Sequence, residues 1–246
     1  MRNARTPPPA ETGVTDGLAW SRWAPDGPPA GGVVIVHGAD SRKENHADFA
    51  AACAAGGLTA LAFDARGHGE SEGELDGRAI DDVALMADVL RERGGVDAVG
   101  LRGSSMGGYL ALVAAAPARA AAVVAICPAT GTGLAVGVRA RRFGFSADSP
   151  ALRRLLAGHD EVDAARELSA RGVPLLLLHA EGDEVVPVDL SRDLHAVAPG
   201  SKLVVVPGGD HRSVQHDAEL QGEAVRFLAR ALRRAPRGSD ASPPAS

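Results

Sequence analysis

Alternating strand-like and helix-like segments predict an α/β fold: a doubly wound, mostly parallel sheet with helices on both faces. Three observations carry the prediction. Short runs at residues 33–36, 58–63, 175–178 and 203–206 are apolar almost throughout, the pattern of strands covered on both sides. Between them lie segments such as the one holding Ile80, Val83, Ala84, Ala87 and Leu90, whose three- and four-residue spacing puts these side chains on one helix face. Ser105, Asp183 and His211 all fall just past the C-terminal ends of strand segments, the edge at which open α/β sheets bind ligands.

The elements follow in chain order. Residues 33–36, Val-Val-Ile-Val, read as a strand ending in His37-Gly38. A helix over 45–55 leads to a second strand, 58–63, and a polar loop, 64–71. The helix over 78–93 is closed by Gly94-Gly95, since glycine takes the left-handed conformation that ends a helix. Residues 96–101 are a strand, 109–116 a helix stopped by Pro117, and 120–127 another buried strand. No strand is predicted from 128 to about 165. The strand at 175–179 precedes a helix over 188–197, and the strand at 203–206 a helix over 214–232. One domain, 14–234, results, with an insertion at about 129–165 and Pro-, Ser- and Ala-rich tails at 1–13 and 235–246 expected to be disordered. A chain of 246 residues can bury one full core of this kind.

Between the strand at 96–101 and the helix at 109–116 lies Gly103-Ser104-Ser105-Met106-Gly107, of the form G-x-S-x-G. On a strand-to-helix turn this motif strains the serine backbone, leaves room only for small neighbours and exposes the hydroxyl. An ordinary helix N-cap would need no glycine two residues before and after it. Downstream, Asp183 lies in the loop past the 175–179 strand and His211 in the loop past the 203–206 strand. Glu181 and Glu184 are rivals for the acidic position, but Gly182 and Val185-Val186-Pro187 favour Asp183. The order Ser, Asp, His, each at the carboxyl end of its strand, is that of the α/β-hydrolase triad. In such a triad His211 takes the Ser105 proton, Asp183 holds the imidazole tautomer, and an acyl group passes through Ser105 to water.

With the His37-Gly38 strand end and the 64–71 loop, Asp-Ala-Arg-Gly-His-Gly-Glu-Ser, residues 17 to 232 resemble serine α/β-hydrolases. The small esterase, dienelactone-hydrolase-like and serine-aminopeptidase-like members are the most similar. The resemblance implies an oxyanion hole formed by the backbone N–H groups of Ala39 and Met106, structural hydrogen bonds from His37 and His68, and a lid made by the 129–165 insertion. It implies a carboxylesterase-like serine hydrolase with no cofactor and no metal, a small acyl substrate and water being its partners. Aminopeptidase, thioesterase or perhydrolase activity at the same site is the alternative. A non-catalytic binding protein is disfavoured because every triad member is present. Ser105 stands where dienelactone hydrolases carry cysteine, so only fold and general chemistry carry over from them.

Within the insertion, Arg139, Arg141, Arg142, Phe143 and Phe145 cluster. One expectation is that they bind an acyl or leaving group carrying a carboxylate or phosphate; the other is a solvated helix face. Gly131, Gly133 and Gly137 miss the G-x-G-x-x-G spacing of a nucleotide site and read as loosening the insertion.

Composition narrows the partners. Net charge is −5, aromatics are 3% of the chain and basic residues are scattered, so nothing resembles the basic, aromatic-studded surface of a nucleic-acid binder. No apolar run approaches the ~20 residues of a membrane span, and Pro7-Pro8-Pro9 interrupts any leader pattern, so cytoplasmic residence is expected. Cys53 and Cys127 cannot build a disulfide framework, lack a C-x-x-C spacing, and are expected as small buried side chains.

Overall fold

A computed structural model describes residues 6–235. The outer tails, 1–5 and 236–246, and the disorder expected of them lie outside the described residues. The strands are β1 Glu11–Thr15, β2 Leu18–Trp23, β3 Gly32–Val36, β4 Thr59–Phe63, β5 Val99–Ser104, β6 Val123–Ile126, β7 Leu175–Ala180 and β8 Lys202–Val206. They form one sheet in the order β1-β2-β4-β3-β5-β6-β7-β8. β2 is antiparallel to β1 and β4, and every pair from β4 to β8 is parallel. The expected doubly wound architecture is present.

The helices are α1 Ala47–Ala55, α2 Ala79–Gly94, α3 Met106–Val113, α4 Gly131–Arg139, α5 Ser149–Gly158, α6 Glu161–Ala170, α7 Asp189–Val197, α8 Ser213–His216 and α9 Ala218–Arg234. Strands β3 to β7 are buried at every position, which is why all but β5, with its buried Arg102 and Ser104, read as largely apolar runs without alternation. On one face Phe49 and Cys53 of α1 and Val225 and Leu228 of α9 join Val33, Ile35 and Leu176. On the other, Val83 and Leu90 of α2, Leu112 of α3 and Leu194 of α7 join Val34, Leu101 and Leu177. Both cysteines are free and buried. No helix among the described residues is long and apolar enough to cross a membrane.

Four departures from the sequence reading have physical causes. The first is the β1–β2 hairpin, which that reading misses. Asp16 and Gly17 both have positive φ, 49° and 75°, as a two-residue turn matched to strand twist requires, and Thr15 faces Leu18 across it. The second is the tail expected to be disordered over 1–13: it enters the sheet at Glu11, and the Trp23 indole donates to the Pro7 carbonyl. Third, the helix expected over 214–232 is two helices, α8 and α9. Asp217 separates them and caps α9 by accepting from the Glu219 and Leu220 amides, so the chain turns there instead of continuing.

The fourth departure is in the 129–165 region, which folds into α4, α5 and the start of α6. Its glycines permit close approach rather than looseness. A Cβ on Gly137 would meet the Phe143 ring, and one on Gly131 the Tyr109 ring and the Leu156 carbonyl.

Candidate active site

β5 runs directly into α3, and Ser105 is the residue between them, at φ 53° and ψ −118°. A non-glycine residue holds such a conformation only where its surroundings over-determine it. Here the Ser105 N–H donates to Ile126 O (2.9 Å), and its carbonyl accepts from the amides of Tyr109 and Ala129 (both 3.1 Å). The motif's glycines are a spatial need: a Cβ on Gly103 would overlap the Gly107 carbonyl, and one on Gly107 the Val36 carbonyl. Gly38 brings the 38–41 loop against the Ser105 side chain. The N–H groups of Ala39 and Met106, the expected oxyanion donors, have no acceptor among the described residues.

Asp183 follows β7 and His211 follows β8. Asp183 Oδ1 accepts from the Val185 and Val186 amides (both 2.8 Å), and Oδ2 takes His211 Nδ1 at 2.7 Å. Burial opposes ionisation of Asp183, but those amides and the His211 ring outweigh it and hold the carboxyl below its usual range. An ionised carboxylate only accepts, so the His211 proton sits on Nδ1 and Nε2 is left as an acceptor. The His211 side chain is 15% exposed. Of the three acids near this loop, Glu184 is exposed and Glu181 lies toward Arg192 (3.7 Å), so Asp183 is the one that meets His211. Ser105 and His211 border one cleft of about 400 Å³, without a hydrogen bond between them.

The insertion reaches this cleft through Phe143. Phe145 instead lines an apolar cavity with Met106, Tyr109 and Leu152 and packs tilted against the His68 ring, the ring centroids 4.4 Å apart and the planes 30° from parallel. Arg139, Arg141 and Arg142 do not border the cleft. All three are exposed, at the end of α4 and in the turn after it, a placement that matches the solvated reading rather than the anion-binding one. The arginine at the cleft is Arg212, beside His211, whose guanidinium has no partner among the described residues.

Two further features were not singled out from the sequence. His179 is fully buried at the end of β7; its Nε2 is 2.9 Å from Val186 O and 3.3 Å from Asp183 Oδ2, and its Nδ1 is 2.7 Å from Ser191 Oγ. Burial favours its neutral form, which leaves one proton, on Nε2 toward the Val186 carbonyl and Asp183. A histidine closing an all-leucine strand is the signal that could have found it. Cys127 lies close to both, but its thiol is pushed up to about 12, chiefly by burial, and Asp183 is already committed to His211, so this trio does not suit a metal ion.

The second feature is a buried ion pair behind the 38–41 loop. Asp64, 0% exposed, accepts from Lys43 Nζ (2.8 Å) and from the amides of Lys43 (2.7 Å) and Glu70 (2.9 Å). His37 also ties these loops, accepting the Ala65 amide at Nε2 (2.9 Å) and pairing Nδ1 with Gly38 O.

This arrangement has counterparts. A family model described as serine aminopeptidase S33 matches residues 27–147, and one described as TAP-like protein matches residues 157–238. The chain belongs to the α/β-hydrolase family. This α/β-hydrolase is 28% identical over 191 residues to the uncharacterized protein YfhR of Salmonella typhi, across 73% of the chain and 63% of that relative. The chain thus spans less than two thirds of that relative's length. Among solved structures, Est1E from Butyrivibrio proteoclasticus superposes with a TM-score of 0.71 at 20% identity, covering 91% of this chain and 99% of Est1E. The monoacylglycerol lipase of Paleococcus ferrophilus gives 0.67 at 20% identity, covering 88% and 98%. At such identities the likeness is one of fold.

Proposed function

We propose that this α/β-hydrolase cleaves a carboxylic ester or a related acyl bond through Ser105, His211 and Asp183. The observation that carries the reading is the bond from His211 Nδ1 to Asp183, which leaves Nε2 able to accept a proton in the cleft that Ser105 borders. His211 takes the Ser105 proton as the hydroxyl attacks the acyl carbon, and then gives it to the leaving group. The free N–H groups of Ala39 and Met106 stabilise the oxyanion, each worth roughly 10²–10³ in rate. Water attacks the acyl-enzyme by the same route in reverse, so the partners are a small acyl substrate and water. The test is a side-by-side panel of p-nitrophenyl esters, aminoacyl anilides and acyl-CoA thioesters, with a fluorophosphonate probe to label the nucleophile. Ester hydrolysis with label on Ser105 is the expected result; no turnover and no label would refute the reading.

A second reading, aminopeptidase activity, is favoured by one observation: the Asp40 carboxylate borders the cleft and could pair with a substrate ammonium. Preference for the anilides in the panel would select it.

For esters, Arg212→Gln is expected to raise KM for p-nitrophenyl hemisuccinate about three- to tenfold while sparing p-nitrophenyl acetate, since an exposed guanidinium contributes modestly to anion binding. The triple change of Arg139, Arg141 and Arg142 to Gln is expected to leave both KM values within about twofold, because solvated charges off the cleft are screened. Steady-state kinetics on the two esters decides both.

A further inference from the structure

Arg102, on β5, is 0% exposed, and among the described residues no carboxylate forms an ion pair with it. Its guanidinium lies over the Phe49 ring, 4.6 Å from the centroid. Nη1 donates to His46 Nδ1 (3.0 Å), and Nη2 to the Gln215 carbonyl (3.2 Å). Two residues on, Ser104 donates its hydroxyl to Gln215 Oε1 at 2.7 Å. Gln221 adds a third bond to Gln215, to the same carbonyl (3.0 Å), and also reaches Asp48 (2.8 Å).

A buried cation without an anion is costly compared with a packed apolar side chain, so what it holds matters. Gln215 belongs to α8, the four-residue helix that starts two residues after His211. The bonds between Asp210 and residues 212 and 213 are internal to that segment. Val214 gives it an apolar anchor, but an apolar contact is non-directional and does not set a position to a fraction of an ångström. Gln215 is where hydrogen bonds tie the segment to β5, with Ser104, the residue next to Ser105, as one donor.

We infer that Arg102, Ser104 and Gln215 are positioning residues: they fasten the helix that follows His211 to the strand that delivers Ser105, and so set the spacing between the two. The inference rests on the serine-hydrolase reading above. It predicts a loss in the chemical step rather than in substrate binding, because misplacement of about 1 Å can cost up to ~10²-fold in rate.

The experiment compares Ser104→Ala, Gln215→Leu, their double variant and Gln215→Glu, which keeps an acceptor for Ser104. The readouts are kcat and KM for p-nitrophenyl acetate, the rate of fluorophosphonate labelling of Ser105, and the thermal midpoint to establish folding. Ser104→Ala and Gln215→Leu are each expected to lower kcat and labelling about tenfold or more with KM within about twofold. The double variant should be no worse than the more impaired single one, since both changes break the same bond. Gln215→Glu should retain kcat within about threefold, because the carboxylate still accepts from Ser104. Arg102→Met should show the same kcat loss; if it fails to fold, the Ser104 and Gln215 variants decide. Unchanged kcat in folded Ser104→Ala and Gln215→Leu, or an equal loss in Gln215→Glu, would overturn the inference. Turnover and labelling that survive in Ser105→Ala would instead overturn the assignment of Ser105 as nucleophile, and the inference with it.

Discussion

Ser105→Ala and His211→Ala are each expected to lower ester turnover at least ~10³-fold, because members of one catalytic unit fail together. Neither change should unfold the protein: Ser105 sits at the cleft and His211 in the loop past β8. Asp183→Asn is expected to fall nearly as far. Asp183 now accepts at both oxygens, two amides on one and the His211 ring on the other. An asparagine amide facing the ring would donate, driving the imidazole proton to Nε2, the nitrogen that has to accept from serine. Initial rates on p-nitrophenyl acetate, with circular dichroism to verify folding, measure all three. Turnover that survives Ser105→Ala would put the nucleophile elsewhere.

The largest expected effect on stability is at Asp64. Asp64→Ala leaves the Lys43 ammonium to Glu44 and Glu70 alone and strips the buried Lys43 amide and the part-buried Glu70 amide of their acceptor, a loss bounded by the ~3–5 kcal/mol of a broken buried pair. Burial favours the neutral Asp64 carboxyl, but the Glu70 amide and the Lys43 amide and ammonium outweigh it and hold its pKa below the usual range. With the folded value depressed, the stabilisation is fully present above the unfolded value near ~3.9 and is lost as pH falls through the folded value. Urea unfolding should therefore show a gap between wild type and Asp64→Ala that is full at neutral pH and shrinks on acidification from about pH 5 toward pH 2. A gap that stays constant over that range would mean the ionised carboxylate is not its source.

The parallel half of the fold is legible in the sequence because its strands are buried on both sides. Val33 to Val36 and Leu175 to Leu178 have no polar alternation to blur them. The turn at Ser105 is legible because both of its glycines fall within five residues, although only the clash at Gly103, with the Gly107 carbonyl, is local; the one at Gly107 is with the Val36 carbonyl of β3. What is missed is of two kinds. Asp16-Gly17 and Asp217 carry local signals, a hairpin dipeptide and a helix cap, that read as part of a tail and of a longer helix. The partnerships of Arg102 with Gln215, Lys43 with Asp64 and His179 with Asp183 carry no local signal of partner: two join segments far apart in sequence, and the third depends on how the loop after β7 folds back. For Arg139, Arg141 and Arg142 the sequence leaves two readings open, because proximity along the chain to Phe143 does not fix proximity to the cleft.

The backbone angle at Ser105 bears on how such a chain can drift. Glycine visits positive φ without penalty, whereas a serine held at φ 53° destabilises the folded state by roughly 1–3 kcal/mol. A lineage that no longer used the hydroxyl could replace it with glycine by one substitution and become more stable. Serine at this position is thus a standing handicap to folding, tolerable only while something other than stability selects it. The same conformation narrows the routes away from serine, since β-branched residues are strained there still more. The turn is a place where stability and chemistry pull the sequence in opposite directions.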